Sequence, residues 1–98
     1  MNRDEIIRRL RENEEMLRQR GVAHVALFGS RARGDQGPAS DTDIMIVLDP
    51  AARVTIFDYA GLKSCIGDLF DGSVDVVNRD GLKPHLKPAV VSDAIYAF

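Results

Sequence analysis

The chain has 98 residues, 45% of them hydrophobic and 29% charged, and 13 Lys+Arg against 15 Asp+Glu leave a formal charge of −2. That is one globular domain, residues 1–98, not a disordered chain and not a strongly basic nucleic-acid binder, so no direct nucleic-acid partner is expected. The longest aliphatic run, Ile44–Leu48, falls far short of the ~20 residues of a membrane span; Arg3, Asp4 and Glu5 interrupt any secretory segment, and a lone Cys65 suits a reducing compartment, so a cytoplasmic protein without membrane association is expected.

Charge is unevenly spread along the chain. Residues 1–20 hold six Arg and all of the Glu, whereas every one of the ten acids from Gly21 onward is Asp. Glu favours helices; Asp favours caps, turns and ligand positions. The spacing predicts a first helix over Arg3–Arg20, opened by Asn2 and Glu5 and ended by Gly21, with Ile6, Ile7, Leu10 and Leu17 as its apolar stripe. Asp4/Arg8, Glu5/Arg9 and Glu14/Arg18 stand at i,i+4 on it.

Val22–Phe28 reads as a strand stopped by Gly29-Ser30, and Ile44–Leu48 as a second strand stopped by Asp49-Pro50, with a short helical turn and a loop within Arg31–Ser40. Thr55–Asp71 reads as a helix and Val74–Val77 as a third strand. A last helical segment begins near Pro84 and Pro88, with Val91, Ala94, Ile95 and Phe98 as its apolar side. This order implies an α/β (α+β) fold, a small sheet packed with helices.

The chemistry concentrates at two places. Asp41 and Asp43 are two residues apart at the start of the second strand, a spacing that aims both carboxylates to one side. Like charges that close raise each other's pKa unless a cation lies between them, and an oxygen-only donor set suits Mg²⁺ or Mn²⁺ rather than zinc. Gly29-Ser30 lets backbone approach a phosphate closely, the Ser30 hydroxyl adds a donor, and Arg31 and Arg33 stand ready to offset phosphate charge. Asp75, flanked by valines in the third strand, is the candidate third acid, provided that strand lies beside the second. His24, His85, Cys65, Tyr59 and Tyr96 read as packing or solvated residues, and Asp35 as a turn residue.

Gly29-Ser30-Arg31-Ala32-Arg33-Gly34, then Ser40-Asp41-Thr42-Asp43, then Val74-Asp75-Val76-Val77 resembles the minimal nucleotidyltransferases of the DNA polymerase beta superfamily. More narrowly, it resembles the nucleotidyltransferase antitoxins paired with HEPN-domain toxins. The resemblance implies a mixed sheet and transfer of AMP from ATP to a hydroxyl. It also implies two Mg²⁺ (or Mn²⁺) ions held by Asp41, Asp43 and Asp75, and a nucleotide seated by Gly29, Ser30, Arg31 or Arg33, and Ser40. In the antitoxin branch the acceptor is a tyrosine of the HEPN toxin, which is neutralised by the modification. Two other readings stay open: an antitoxin that works by binding alone, and a homodimeric small-molecule nucleotidyltransferase.

Overall fold

The computed structural model describes residues 1–98. In chain order the elements are α1 (Arg3–Glu12), α2 (Glu14–Gln19), β1 (Val22–Phe28), α3 (Ser30–Arg33), β2 (Thr42–Leu48), α4 (Ile56–Gly67), β3 (Val74–Asn78), a 3₁₀ turn (Arg79–Gly81), α5 (Lys87–Asp93) and β4 (Ile95–Tyr96). The sheet runs β3-β2-β1-β4; β1 is antiparallel to β2 and to β4, while β2 and β3 are parallel. A parallel neighbour needs a crossover, and α4 supplies it.

Alternation along the strands divides the sheet into two faces. Val25 and Leu27 of β1, Ile44 and Ile46 of β2 and Val76 of β3 join one apolar cluster with Ile6, Ile7 and Leu10 of α1, Leu17 of α2, and Leu62 and Ile66 of α4. A register shift between Val22 and His24 keeps both Val22 and Val25 with that cluster despite their odd spacing. Asp43, Met45 and Val47 alternate to the other face, where α5 lies against β1.

The structure departs from the sequence reading at both ends. The single helix expected over Arg3–Arg20 is two, because Asn13 leaves helical geometry (φ −105°, ψ 14°) and its side-chain amide donates back to the Arg9 carbonyl at 2.8 Å. Asn2 does cap α1, accepting from the Glu5 amide at 2.9 Å. Of the three anticipated ion pairs only Glu14–Arg18 forms, at 2.7 Å. Arg8 turns to Glu12 instead, and Arg9 donates to the Leu69 carbonyl at 2.8 Å, tying α1 to the end of α4. Helix α4 is shorter than expected: Thr55 caps it in a reciprocal capping box with Asp58, and it ends at Gly67. The strands β2 and β3 extend slightly past their expected bounds, β2 back to Thr42 and β3 on to Asn78.

The last helix stops at Asp93. Val91, expected on its apolar side, is exposed, and Ile95–Tyr96 forms β4 against Ala26 and Leu27 of β1. Here the open edge of β1 outcompetes helix continuation: unpaired strand N–H and C=O groups gain partners, and Ala97 is buried in the process.

Candidate active site

Three chain segments meet where β1 ends and β2 and β3 begin. Phe28 of β1 pairs with Asp43 of β2, and Asp43 pairs in turn with Asp75 of β3. In-register residues of neighbouring strands share a face, with backbones about 4.8 Å apart. Asp43 is half-buried and Asp75 exposed. Asp41 lies one residue before β2, exposed at the lip of the site. Burial, then the charges of Asp75 and Asp41, push the Asp43 carboxyl above its usual range; Arg33 and Arg31 pull it partly back. Asp43 is therefore the acid that feels the charges of the other two anticipated from sequence. No three His, Cys, Asp or Glu side chains are gathered to ligating distance.

Gly29 explains the sequence at the strand end. It adopts φ 76° and ψ −155°, a region closed to side-chain-bearing residues, and a Cβ there would collide with the Asp43 carboxylate. The missing side chain is what lets the loop backbone lie directly against the acid. Ser30 then opens α3, a single turn whose first amides have no intrahelical carbonyl to bond, and Gly34 (φ 83°) closes it in the left-handed region.

The two arginines of the motif differ. Arg33 donates to Asp93 at 2.6 Å and to Asp35 at 3.1 Å, and these hydrogen bonds raise its pKa further. Arg31 donates to the carbonyls of Ser40 (2.8 Å) and Met1 (3.3 Å), while its buried Nε has no partner. Ser40 is a loop fastener: its hydroxyl accepts from the Gly37 amide at 2.8 Å. A cleft of about 360 Å³ opens beside these groups, bordered by Arg31, Ser40, Asp41, Gly72 and Ser73.

Sequence reasoning missed one neighbour of the site. Asp93 reaches Arg33 across 60 residues, a pairing with no local signature. Tyr59 of α4, read as a packing residue, does pack against the core cluster, and its phenol pKa is raised by burial and then by the charge of Asp75. His24, His85 and Cys65 take no part: both histidines are exposed, and the Cys65 thiol lies 3.7 Å from the Met16 sulfur.

Paired carboxylates beside a bare glycine-serine turn offer oxygen ligands for a divalent cation and backbone N–H groups for phosphate oxygens. The comparisons make the class definite. The nucleotidyltransferase domain family matches residues 4–97, and the chain belongs to that family; it is a nucleotidyltransferase. Its relatives include a Methanocaldococcus jannaschii protein named "putative protein adenylyltransferase", 32% identical over 89% of each chain. Another is protein adenylyltransferase MntA of Thermococcus cleftensis, 28% identical over 95% of this chain and 93% of that one. Among solved structures, one described as a "putative minimal nucleotidyltransferase" superposes with a TM-score of 0.77 at 30% identity, covering 97% of this chain and 95% of that one. A toxin–antitoxin crystal structure with AMP-PNP superposes with a TM-score of 0.68 at 26% identity, covering 100% of this chain and 73% of the other.

Proposed function

We propose that this nucleotidyltransferase is an antitoxin that transfers AMP from ATP to a tyrosine hydroxyl of a HEPN-domain toxin, in a Mg²⁺-dependent reaction. The observation that carries the reading is the pairing of Asp43 with Asp75 on one face, pressed against the bare backbone of Gly29. The names of the relatives support adenylyl transfer to protein, and a toxin–antitoxin complex with a nucleotide analogue supports the partner and the substrate.

In this reading the Gly29–Ser30 turn, Arg31 and the Ser40 loop bind and orient the triphosphate. The acceptor oxygen attacks the α-phosphorus, the bond to the β-phosphate breaks, pyrophosphate leaves, and a tyrosyl phosphodiester remains. Asp75, the more exposed of the paired acids, faces the acceptor and takes its proton. The chemistry of the donors suits a divalent cation: Asp41, Asp43 and Asp75 are hard oxygen ligands, which would draw together around a shared ion. Bound there, Mg²⁺ would supply charge neutralisation at the α-phosphate and leaving pyrophosphate.

The test is transfer of label from [α-³²P]ATP to a HEPN-domain toxin that co-purifies with this chain, with Mg²⁺ and with EDTA. Label on the toxin is expected from the wild type and not from the Asp41→Ala/Asp43→Ala variant, with the complex intact in both. A variant that transfers nothing and still protects cells fully would instead make this an antitoxin that acts by binding.

A further inference from the structure

Asp41 is the one acid of the three that no strand holds. Strand β2 begins at Thr42, and the ladders pair Asp43 with Phe28 and with Asp75, leaving Asp41 in the loop before them. Its place therefore depends on the two planar peptides that flank it, since only the φ and ψ of Asp41 join one plane to the other. Each plane is held by one hydrogen bond from outside the loop. On the far side, the Thr42 N–H donates to the Ser73 carbonyl at 2.9 Å, next to the start of β3. On the near side, the Ser40 carbonyl accepts from Nη2 of Arg31 at 2.8 Å.

The bonds within the loop close it on itself. The Ser40 amide donates to the Gly37 carbonyl at 3.1 Å, and the Gly37 amide to the Ser40 hydroxyl at 2.8 Å, without tying either residue to the sheet or to α3. Arg31 supplies that tie. Its backbone belongs to the single turn that Gly29 and Ser30 open, closed by the Ala32 and Arg33 amides on the Gly29 carbonyl at 3.1 Å. One guanidinium thus spans from this turn to the peptide of Asp41. Its other amino group donates to the Met1 carbonyl at 3.3 Å, and Arg3 returns a bond of the same length to the Ala32 carbonyl, so the start of α1 steadies the brace from behind. The Arg31 Nε stays buried without a partner: the fork is aimed by the two carbonyls it reaches, and its third donor is left unsatisfied.

We infer that Arg31 is a positioning residue that acts through Asp41: its side chain sets the separation between the Gly29–Ser30 turn, where phosphate binds, and the first acid, where the cation binds. This rests on the reading that Asp41 is a ligand of Mg²⁺, and it says what keeps a ligand outside the sheet in place. Geometry and charge are separable here. Arg31→Lys keeps the positive charge that a phosphate feels, but an ammonium on a flexible stem lacks the planar fork that holds both carbonyls.

The experiment compares wild type with Arg31→Lys by thermal shift against Mg²⁺ without nucleotide, by binding of a fluorescent ATP analogue in EDTA, and by hydrogen exchange at the Thr42 amide. The half-point of the Mg²⁺ titration is expected to rise about tenfold, as when a group that orients a metal ligand is lost. Thr42 exchange quickens, while nucleotide affinity in EDTA stays at the wild-type value. Arg31→Lys/Asp41→Asn should need no more Mg²⁺ than Asp41→Asn alone, because the brace works through the acid it holds. Ser40→Ala loosens the same loop from Gly37 and is expected to raise the half-point in the same sense by less; it carries the test if Arg31→Lys fails to fold. An unmoved half-point overturns the inference, as do effects of Arg31→Lys and Asp41→Asn that simply add, or a loss confined to nucleotide affinity. A wild type that shows no Mg²⁺ shift at all defeats the metal reading alone, and Thr42 exchange then decides whether the brace stands.

Discussion

The two faces of β2 carry opposite burdens. On one, Ile44 and Ile46 are fully buried beneath the helices, in the cluster that holds the molecule together. On the other, Met45 and Val47 are also buried, but the cover ends before the strand does, leaving Asp43 half-buried and Asp75 beside it exposed. One period-2 alternation thus builds the core and the chemistry from adjacent residues of the same strand. Stability and activity are consequently separable by steps of a single residue.

Substitution on either face breaks that symmetry in opposite senses. Asp75→Asn keeps size and shape at an exposed position, so the melting temperature is expected to stay put while AMP transfer falls by about a thousandfold or more, roughly 4 kcal/mol of barrier. Ile46→Ala removes buried methylenes and leaves a cavity, for about 2–5 kcal/mol of lost stability. For a domain of this size that is a large share of roughly 5–15 kcal/mol. Thermal melts alongside label transfer normalised to folded protein check both; an Ile46→Ala variant that folds as well as wild type would dissolve the distinction.

Most of this division is visible in the sequence because it is local. The valine- and isoleucine-rich runs fix β1, β2 and β3 to within two residues, and Thr55, Gly21 and Gly72 punctuate the chain where the structure turns. The candidate acids were legible for the same reason: Asp41 and Asp43 by spacing, Asp75 by standing among valines. What escaped reading depends on long-range competition. Asn13 breaks a helix whose apolar stripe continues across it, and Ile95–Tyr96 leaves a helical pattern because β1 offers an unpaired edge. The Arg33–Asp93 bond joins residues that only the packing of α5 brings together.

Gly29 gives a sharper test of how the backbone serves the acid. Gly29 and Gly34 both hold positive φ (76° and 83°), so alanine strains each, at about 1–3 kcal/mol. Only at Gly29 would the added methyl meet Asp43, whereas nothing lies within 4 Å at Gly34. Gly29→Ala should therefore lose more stability than Gly34→Ala, and it alone should also lose nucleotide affinity, measured by titration of a fluorescent ATP analogue.

The raised pKa of Asp43 gives a smaller effect with a definite sign. Because the folded-state value lies above the unfolded one, the associated stability is fully present below the unfolded pKa and is lost as pH rises through the folded pKa. Asp43→Asn removes that burden, so the variant should melt a few degrees above wild type at neutral pH and level with it in acid. Mg²⁺ should raise the wild-type melting temperature and leave the variant's unchanged. Equal melting temperatures at neutral pH would mean that the acid cluster is relaxed without a cation.

The two motif arginines should also separate, and the reason is the company each keeps. Arg33 already shares its charge with Asp35 and Asp93, at 3.1 and 2.6 Å, and those carboxylates compete with any phosphate for its donors. Arg31 is held by two carbonyls, which leave its positive charge uncompensated, and it borders the cleft next to Asp41. A charged hydrogen bond to phosphate is worth about 1.5–3 kcal/mol, so Arg31→Ala should weaken ATP binding by roughly ten- to a hundredfold. Arg33→Ala should change it only slightly, and Arg33→Ala/Asp93→Ala no further, because the second substitution removes a partner whose arginine is already gone. If Arg33→Ala instead proves the more damaging of the two, the guanidinium must leave Asp93 when nucleotide arrives, and the bond to α5 is a latch rather than a strut.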